Sequence, residues 1–376
     1  MDFSLTEEQQ MLVESVSRFI DNDYDFEQRQ KYAASDAGFS REMWQTFAEL
    51  GWTAVPFGET DGGLGGGPVE LMLMMQEFGR GLVVEPFLPN IVLAGGVLRR
   101  LATAEQKNRW LQPIMTGEMQ AALAFAEPQG RFNPADISTT ARRNGAGFVL
   151  DGRKNLVLNS GNAAVIIVPA RTSGEQKDRS GITLFAVDSE SGGLTRNAYK
   201  TVDGHQAGEL ILQDVNVTSE SVLGKIGNGF ETLQTVIDEA TLAVCAEAVG
   251  IMRTMQDKTV EYAKNRVQFG VPIGTFQALQ HRLVDTLVAC EQTYSLLLWT
   301  AMVCDSDLTA AGKAISALKY QVGTAALHVA REAVQLHGGM GVTWELDIAH
   351  YFKRMAAIEL LFGNADYHLE RYVSLS

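Results

Sequence analysis

The C-terminal part of the chain is organised around the stretch Tyr262-Ala263-Lys264-Asn265-Arg266-Val267-Gln268-Phe269-Gly270, which ends the first of three long amphipathic segments. These segments cover residues 236–266, 276–304 and 308–337, and they contain little glycine or proline. Apolar residues at helical spacing over such lengths predict helices, and three of them in succession predict a bundle of antiparallel helices. On its own, a basic residue shortly before Gly270 is also typical of a capped helix end.

The chain before this bundle changes character twice. Thr6 and Gln9 form a capping-box pattern ahead of apolar residues at helical spacing, and a helical N-terminal domain is predicted to end near Gly117. Between that point and the bundle, short apolar runs separated by turn dipeptides such as Asp151-Gly152 predict a β-domain. The sequence therefore predicts an α+β protein with domains at residues 1–118, 119–225 and 226–376.

Composition limits the class of protein and its partners. A chain of 376 residues with 46% hydrophobic and 20% charged residues is typical of a soluble globular protein with two or three domains. A net charge of −14, with basic residues in pairs at most, makes nucleic acid a poor partner. Cys245, Cys290 and Cys304 lie among apolar residues, which predicts buried free thiols in a reducing cytoplasm and no metal. Without a signal-peptide pattern or an apolar stretch that could span a bilayer, a cytoplasmic location is expected.

Two motifs carry a resemblance to a known family. Residues 262–270 are similar to the Y-x-x-x-R-x-Q-F-G of the flavin-dependent acyl-CoA dehydrogenases, and Gln335-Leu336-His337-Gly338-Gly339-Met340-Gly341 is similar to their Q-x-x-G-G-x-G. In that family both motifs reach the FAD of a neighbouring subunit, where the fork of an arginine suits phosphate oxygens. The resemblance implies FAD as the cofactor, contacted by Arg266, Gln268, Phe269, Gln277, Gln335, Gly338 and Gly339.

Residues 351–364 resemble the catalytic end of the same family, Y-F-R-D-x-R-I-x-x-I-Y-E-G-T, without a gap. Phe352, Glu359 and Gly363 hold the register, so Phe362 stands where the family has its catalytic glutamate. Phenylalanine cannot accept a proton, and a positioned base typically contributes about 10²–10⁴ in rate. The resemblance therefore implies that the base lies elsewhere in the chain or comes from a partner chain.

The predicted β-domain retains less of the family pattern. Residues 126–133 keep Glu127 and Pro128 of the family's T-E-P-G-A-G-S-D and lose most of the rest. In the following K-x-W-I-T-N-G, Leu156 replaces the aromatic residue that backs the flavin, and Leu158 replaces a hydroxyl donor. Both replacements weaken the flavin pocket that this chain could form for itself.

The start of the first long helix contains another departure. Thr241 replaces an arginine of the family's L-D-x-x-R that assists acyl-CoA binding, and some relatives place their catalytic glutamate at the position of Ala240. Glu239 is one residue away, and a shift of one residue rotates a helical side chain by roughly a quarter turn. Glu239 is therefore either a displaced base or a solvated or interface carboxylate.

The pattern of retained and lost motifs predicts a non-identical partner. The retained motifs serve a neighbour's FAD, whereas the lost residues serve the chain's own flavin ring and acyl group. The resemblance is closest to small subunits of heteromeric enzymes such as pimeloyl-CoA dehydrogenase. It implies an α2β2 enzyme whose large subunit supplies the base, with an acyl-CoA substrate and an electron-transferring flavoprotein as electron acceptor. Two alternatives stay open: a homotetramer with Glu239 as base, and a catalytically silent structural protein of the same fold.

Overall fold

The structure is a computed structural model that describes residues 4–375, apart from the side chain of Leu308. The helices of nine residues or more are α1 Glu7–Asp23, α2 Phe26–Ala34, α3 Arg41–Glu49, α4 Pro68–Gly81, α8 Phe230–Asn265, α9 Gln277–Ser306, α10 Leu308–His337, α11 Asp347–Leu360 and α12 Ala365–Ser374. Shorter helices are α5 Gly96–Leu101, α6 Ala104–Gln106 and α7 Gln112–Met115. The strands are β1 Ala121–Leu123, β2 Thr140–Asn144, β3 Gly147–Lys154, β4 Val165–Arg171, β5 Ile182–Asp188, β6 Leu194–Lys200, β7 Gln206–Val217, β8 Val222–Leu223, β9 Val267–Gln268 and β10 Val271–Pro272.

One compact unit is mainly helical and combines residues up to 31, residues 67–83 and the chain from residue 241 onward. Within it α1 packs on α4, and α10 packs against α9, α11 and α12. Two glycines allow the backbones of α4 and α8 to approach closely. A Cβ on Gly79 would lie 2.1 Å from the carbonyl oxygen of Glu247, and one on Gly250 would lie 2.0 Å from that of Gln76.

A buried ion pair ties α11 to α8 in the same unit. The Arg354 side chain donates to both carboxylate oxygens of Glu247, at 2.5 Å from Nε and 2.7 Å from Nη2. The side chains of Arg354 and Glu247 are only 6% and 5% exposed. A forked contact of this kind fixes the orientation of both groups as well as their distance.

The second unit, residues 32–66 and 84–240, is built on an eight-stranded sheet. The strand order is β6-β7-β3-β2-β4-β5-β8, and β1 adds to β4 in parallel with Ala121 opposite Val165. Every residue of β4 is buried, which explains its continuous apolar run. The core of this sheet includes Phe148, Leu150, Ile166, Val168, Phe185, Val187, Leu210 and Val215.

The predicted architecture is confirmed: helices first, then a β-sheet, then a C-terminal helical bundle. The exact limits of the three predicted domains are not tested by the division into two units, and they stay a prediction. All three cysteines are buried and form no disulfide among the described residues, and burial raises the pKa of the Cys245 and Cys290 thiols to about 12.

Helix α9 contradicts the expectation that no segment of the chain is apolar enough to span a bilayer. By length and composition alone, α9 is apolar enough to cross a bilayer, with a mean hydropathy of 1.3 over its best 18-residue window, of which 39% is buried. The sequence shows no continuous apolar stretch of that length, because isolated polar residues interrupt every apolar run in this helix. Within the helical unit α9 packs against α10 and α4.

Candidate functional site

The first predicted cofactor motif forms a hairpin directly after α8. Strands β9 and β10 pair with Gln268 opposite Val271, and the turn between them consists of Phe269 and Gly270, both with positive φ. The Ile273 N–H donates to the carbonyl oxygen of Arg266 at 2.8 Å and closes the hairpin at its base. We call residues 266–273 the Arg266 hairpin.

Residues 266–271 of the Arg266 hairpin are exposed, whereas Ile273 at its base is buried. Phe269 is 94% exposed, and the exposed Arg266 side chain makes no ion pair with any described residue. Gln277, at the start of α9, is also exposed, whereas the Gln268 amide donates to the carbonyl oxygen of Val267 at 2.8 Å. An exposed phenylalanine beside an unpaired arginine provides a surface for a ligand or a partner chain.

The second motif lies at the C-terminal end of α10. Gly338 has a φ of 63°, donates its N–H to the carbonyl oxygen of Gln335 and starts a 3₁₀ turn, Gly338–Val342. A Cβ on Gly341 would lie 2.6 Å from the Val334 carbonyl oxygen, so this chain's own packing requires that glycine. A Cβ on Gly339 would meet nothing within 4 Å, and Gly339 has no positive φ. Nothing within the described chain therefore demands a glycine at position 339.

The structure brings the two motifs together. The rings of Tyr262 and His337 are stacked, with centroids 4.3 Å apart and planes inclined by 30°. The Tyr262 hydroxyl also donates to the His337 carbonyl oxygen at 3.4 Å. The Arg266 hairpin and the turn that carries Gly338 and Gly339 therefore lie side by side in the helical unit.

The turn after α11 carries Phe362 in a strained conformation. Its φ of 61° is unusual for a bulky residue, and its side chain is only 8% exposed. The buried Lys319 ammonium holds the turn by donating to three carbonyl oxygens at 2.7–2.9 Å, those of Ile358, Glu359 and Gly363. Burial lowers the pKa of Lys319.

His368 holds the same turn from the other side. Burial and the nearby Lys319 charge lower the pKa of His368 to about 3, so its ring is neutral at ordinary pH. Nε2 of this ring lies 3.1 Å from the Phe362 carbonyl oxygen and is the nitrogen that carries the proton, because a carbonyl oxygen can only accept.

Glu239 lies in the other unit, where two arginines contact it. Nη2 of Arg99 is 2.6 Å from Oε1 of Glu239, and Arg100 donates to the same oxygen. Arg99 also donates to the carbonyl oxygen of Pro56 at 2.5 Å. The sequence showed Arg99-Arg100 as a basic pair, but a separation of 140 residues from Glu239 gave no signal of this contact.

Glu127 and Lys154, which are retained from the two motifs of the β-domain, form a buried ion pair. Nζ of Lys154 lies 2.6 Å from Oε1 of Glu127, with both side chains 0% exposed, and it also donates to the Pro169 carbonyl oxygen. The Glu127 carboxylate accepts from Ser138 and Thr139 as well. Burial raises the pKa of Glu127, but the Lys154 charge and these hydrogen bonds outweigh burial and hold the pKa at about 2. What survives of these two motifs therefore stabilises the fold.

The replaced residues of the same motifs lie on the surface of the sheet unit. Leu156 is 40% exposed and has a φ of 47°, and Leu158 is half-buried. Backbone hydrogen bonds still fix this segment, because Asn155 donates to Ala126 at 3.0 Å and Val157 donates to Gly208 at 2.8 Å. The backbone is held in place, and it presents leucines where relatives present an aromatic ring and a hydroxyl group.

Comparison with known proteins identifies the class to which this fold and these motifs belong. Three family models match in succession: the acyl-CoA dehydrogenase N-terminal domain over residues 6–118, the middle domain over residues 122–215 and the C-terminal domain over residues 227–373. The chain belongs to the acyl-CoA dehydrogenase family.

Individual relatives agree with this assignment. The 3-(aryl)acrylate reductase of Clostridium sporogenes is 30% identical over 88% of each chain, and the caffeyl-CoA reductase–Etf complex subunit CarC of Acetobacterium woodii is 29% identical over 87% of each. Among solved structures, the ChsE4–ChsE5 complex from Mycobacterium tuberculosis has a TM-score of 0.90 at 26% identity, covering 100% of this chain and 98% of that chain. The FAD complex of PigA has a TM-score of 0.92 at 25% identity, with the same coverage. FAD is the cofactor that this family uses.

Proposed function

We propose that this chain is the small subunit of a heteromeric acyl-CoA dehydrogenase, which completes the FAD site of a large subunit and has no working base of its own. The observation that carries the proposal is the contrast between two sets of motif residues. Those that would serve a neighbour's FAD are present and exposed, and Arg266, the clearest case, makes no ion pair with a described residue. Those that would serve the chain's own flavin are replaced, with Phe362 as the clearest case.

The residues of the helical unit fit the pyrophosphate and adenine end of FAD. The Arg266 guanidinium offers a fork of donors to phosphate oxygens, and the backbone at Gly339 has open space on the side where a Cβ would stand. The side-chain amide of Gln335 is exposed and makes no hydrogen bond to a described residue, so it is available as a further donor. When bound, FAD supplies the two-electron acceptor that dehydrogenation of an acyl-CoA needs.

The chain's carboxylates do not provide an obvious base. Phe362 occupies the position of the family's catalytic glutamate, and Lys319 only donates to the carbonyl oxygens of its turn. The unprotonated Nδ1 of His368 is a weak base, because burial and the Lys319 charge lower the pKa of His368 to about 3. Oε1 of Glu239 already accepts from Arg99 and Arg100, which favours the interpretation of Glu239 as a structural carboxylate. The large subunit would therefore supply the base that removes the α-proton of the acyl-CoA.

Two comparisons support the partners in this proposal. A chain of this fold has been solved as part of the ChsE4–ChsE5 complex, whose two components carry different names, and CarC is named as a subunit of a complex with Etf. We infer an α2β2 assembly in the cytoplasm that passes electrons from FAD to an electron-transferring flavoprotein.

The test is to measure FAD binding by the complex that this chain forms with a paralogous large subunit carrying the catalytic glutamate. Arg266→Ala removes a charge-assisted contact, so we expect the FAD dissociation constant to rise on the order of tenfold to a hundredfold. Arg18→Ala is the matched control, because Arg18 is an exposed arginine of α1 whose one ion pair among the described residues is with Glu14. Equal FAD affinity in the two variants would contradict the proposal.

A further inference from the structure

The Tyr262–His337 ring pair connects the two FAD-facing motifs. We propose that these two rings are positioning residues that set the register between the Arg266 hairpin and the Gly338–Gly339 backbone, so that both motifs meet one FAD. The inference rests on the proposed function and adds to it the element that orders the cofactor-binding surface.

Each ring is attached directly to one of the two motifs. Tyr262 lies on the last turn of α8, and its carbonyl oxygen accepts from the Arg266 N–H at 2.8 Å. His337 is the last residue of α10 and immediately precedes Gly338. A displacement of either ring therefore moves a residue that is proposed to contact FAD.

Among the described residues, no hydrogen bond, ion pair or ring contact joins residues 266–273 to residues 338–342 directly. The turn also packs closely on His337, because a Cβ on Gly341 would lie 3.0 Å from the Cβ of His337. The ring pair therefore contributes to the relative position of the two motifs, beside the more distant ion pairs Lys258–Asp347 and Arg282–Glu332.

The orientation of the imidazole is fixed by its own hydrogen bond. Nδ1 of His337 lies 2.8 Å from the Ala333 carbonyl oxygen, which only accepts, so Nδ1 carries the proton. Burial lowers the pKa of His337, and the charges that face it, Asp347 on α11 and Lys258 on α8, oppose each other and are paired at 2.8 Å. His337 is therefore neutral at ordinary pH, with Nε2 unprotonated and its ring plane held against Tyr262.

Three variants separate the ring contact from the hydrogen bond. His337→Ala and Tyr262→Leu remove the stacked pair, and we expect each to weaken FAD binding by the complex about three- to tenfold. His337→Phe keeps an aromatic ring and loses the bond to Ala333, so its FAD affinity should stay within about twofold of the parent complex. Thermal unfolding identifies any variant that fails to fold. If either His337→Ala or Tyr262→Leu fails to fold, the FAD affinity of the other one decides whether the stacked pair matters.

The reference is Arg266→Ala in the same complex. If Arg266→Ala weakens FAD binding while His337→Ala and Tyr262→Leu do not, the positioning role is overturned and the proposed function stands. If the His337→Phe complex binds FAD as weakly as the His337→Ala complex, ring stacking is not the contact that matters, and the inference is also overturned. If Arg266→Ala leaves FAD affinity unchanged, the proposed function itself fails.

A readout that does not involve FAD tests the same inference on the chain alone. The nitrogen chemical shifts of labelled His337 should show a protonated Nδ1 and an unprotonated Nε2 at neutral pH. The opposite tautomer would contradict the short Nδ1–Ala333 contact, so the imidazole would not lie against Tyr262 as the structure places it, and the inference would be overturned.

Discussion

Replacing Glu239 by glutamine separates the two ways in which this chain could take part in dehydrogenation. Oε1 of Glu239 accepts from Arg99 at 2.6 Å and also from Arg100, and the three side chains are 24%, 25% and 27% exposed, respectively. Glutamine keeps an acceptor oxygen and loses the charge. Hydrogen bonds to charged groups contribute about 1.5–3 kcal/mol when buried, and partial solvation reduces this. We therefore expect a loss of about 1–2 kcal/mol in the free energy of unfolding.

The effect of the same substitution on turnover distinguishes a structural carboxylate from a base. If the large subunit supplies the base, kcat of the Glu239→Gln complex stays within about twofold of the parent complex, whereas removal of a true base costs about 10²–10⁴. The assay is steady-state oxidation of an acyl-CoA with an artificial electron acceptor. Glu14→Gln is the matched control, because Glu14 lies in an exposed pair with Arg18. A loss of a hundredfold or more in a folded Glu239→Gln complex would refute the reasoning and favour the homotetramer alternative.

Five further substitutions test the separation between structural residues and residues that are proposed to face the cofactor. Glu127→Gln leaves the Lys154 ammonium buried without its counter-charge, so denaturant titration should show a loss of about 3–5 kcal/mol in the free energy of unfolding. Adding Lys154→Met to Glu127→Gln should largely reverse that loss. A loss below about 1 kcal/mol in Glu127→Gln would be inconsistent with the buried pair. Because the pKa of Glu127 is depressed to about 2, the stability that its charge provides should be fully present above its ordinary pKa of 4.5 and disappear as the pH falls toward 2. Gly339→Ala should leave the melting temperature of the lone chain unchanged and weaken FAD binding by the complex. Gly341→Ala, in contrast, should destabilise the lone chain. The reverse pattern would show that Gly339 does not contact FAD. Phe362→Glu should not give the lone chain dehydrogenase activity, and measurable turnover would contradict the loss of its flavin pocket.

The sequence predicts the long helices well because their apolar residues recur regularly at helical spacing. Residues 276–304 were predicted as a helix, and α9 spans Gln277–Ser306. The start of α8 was placed six residues late, at residue 236 instead of Phe230, because polar residues such as Glu231 and Gln234 obscure the apolar period there. The motif at Arg266 also allowed a simple helix cap, whereas the structure continues into the β9–β10 hairpin.

The chemical environment of the candidate residues could not be read from the sequence. Glu239 and its arginine partners are 139 and 140 residues apart, and no local pattern predicts a contact over that separation. The same holds for Lys319, whose three carbonyl acceptors lie about 40 residues further along the chain. Packing decides which motif residues are exposed and which are buried. That difference separates the retained residues that are proposed to face FAD from the retained structural pair of Glu127 and Lys154.

The central claim is that this chain completes a FAD site which it cannot form alone. The most direct test is the visible absorbance spectrum of the chain purified by itself and again after co-purification with its large subunit. We expect flavin absorbance to appear only in the complex and to be bleached there by an acyl-CoA substrate. Flavin that is bound by the lone chain and bleached by an acyl-CoA would contradict it.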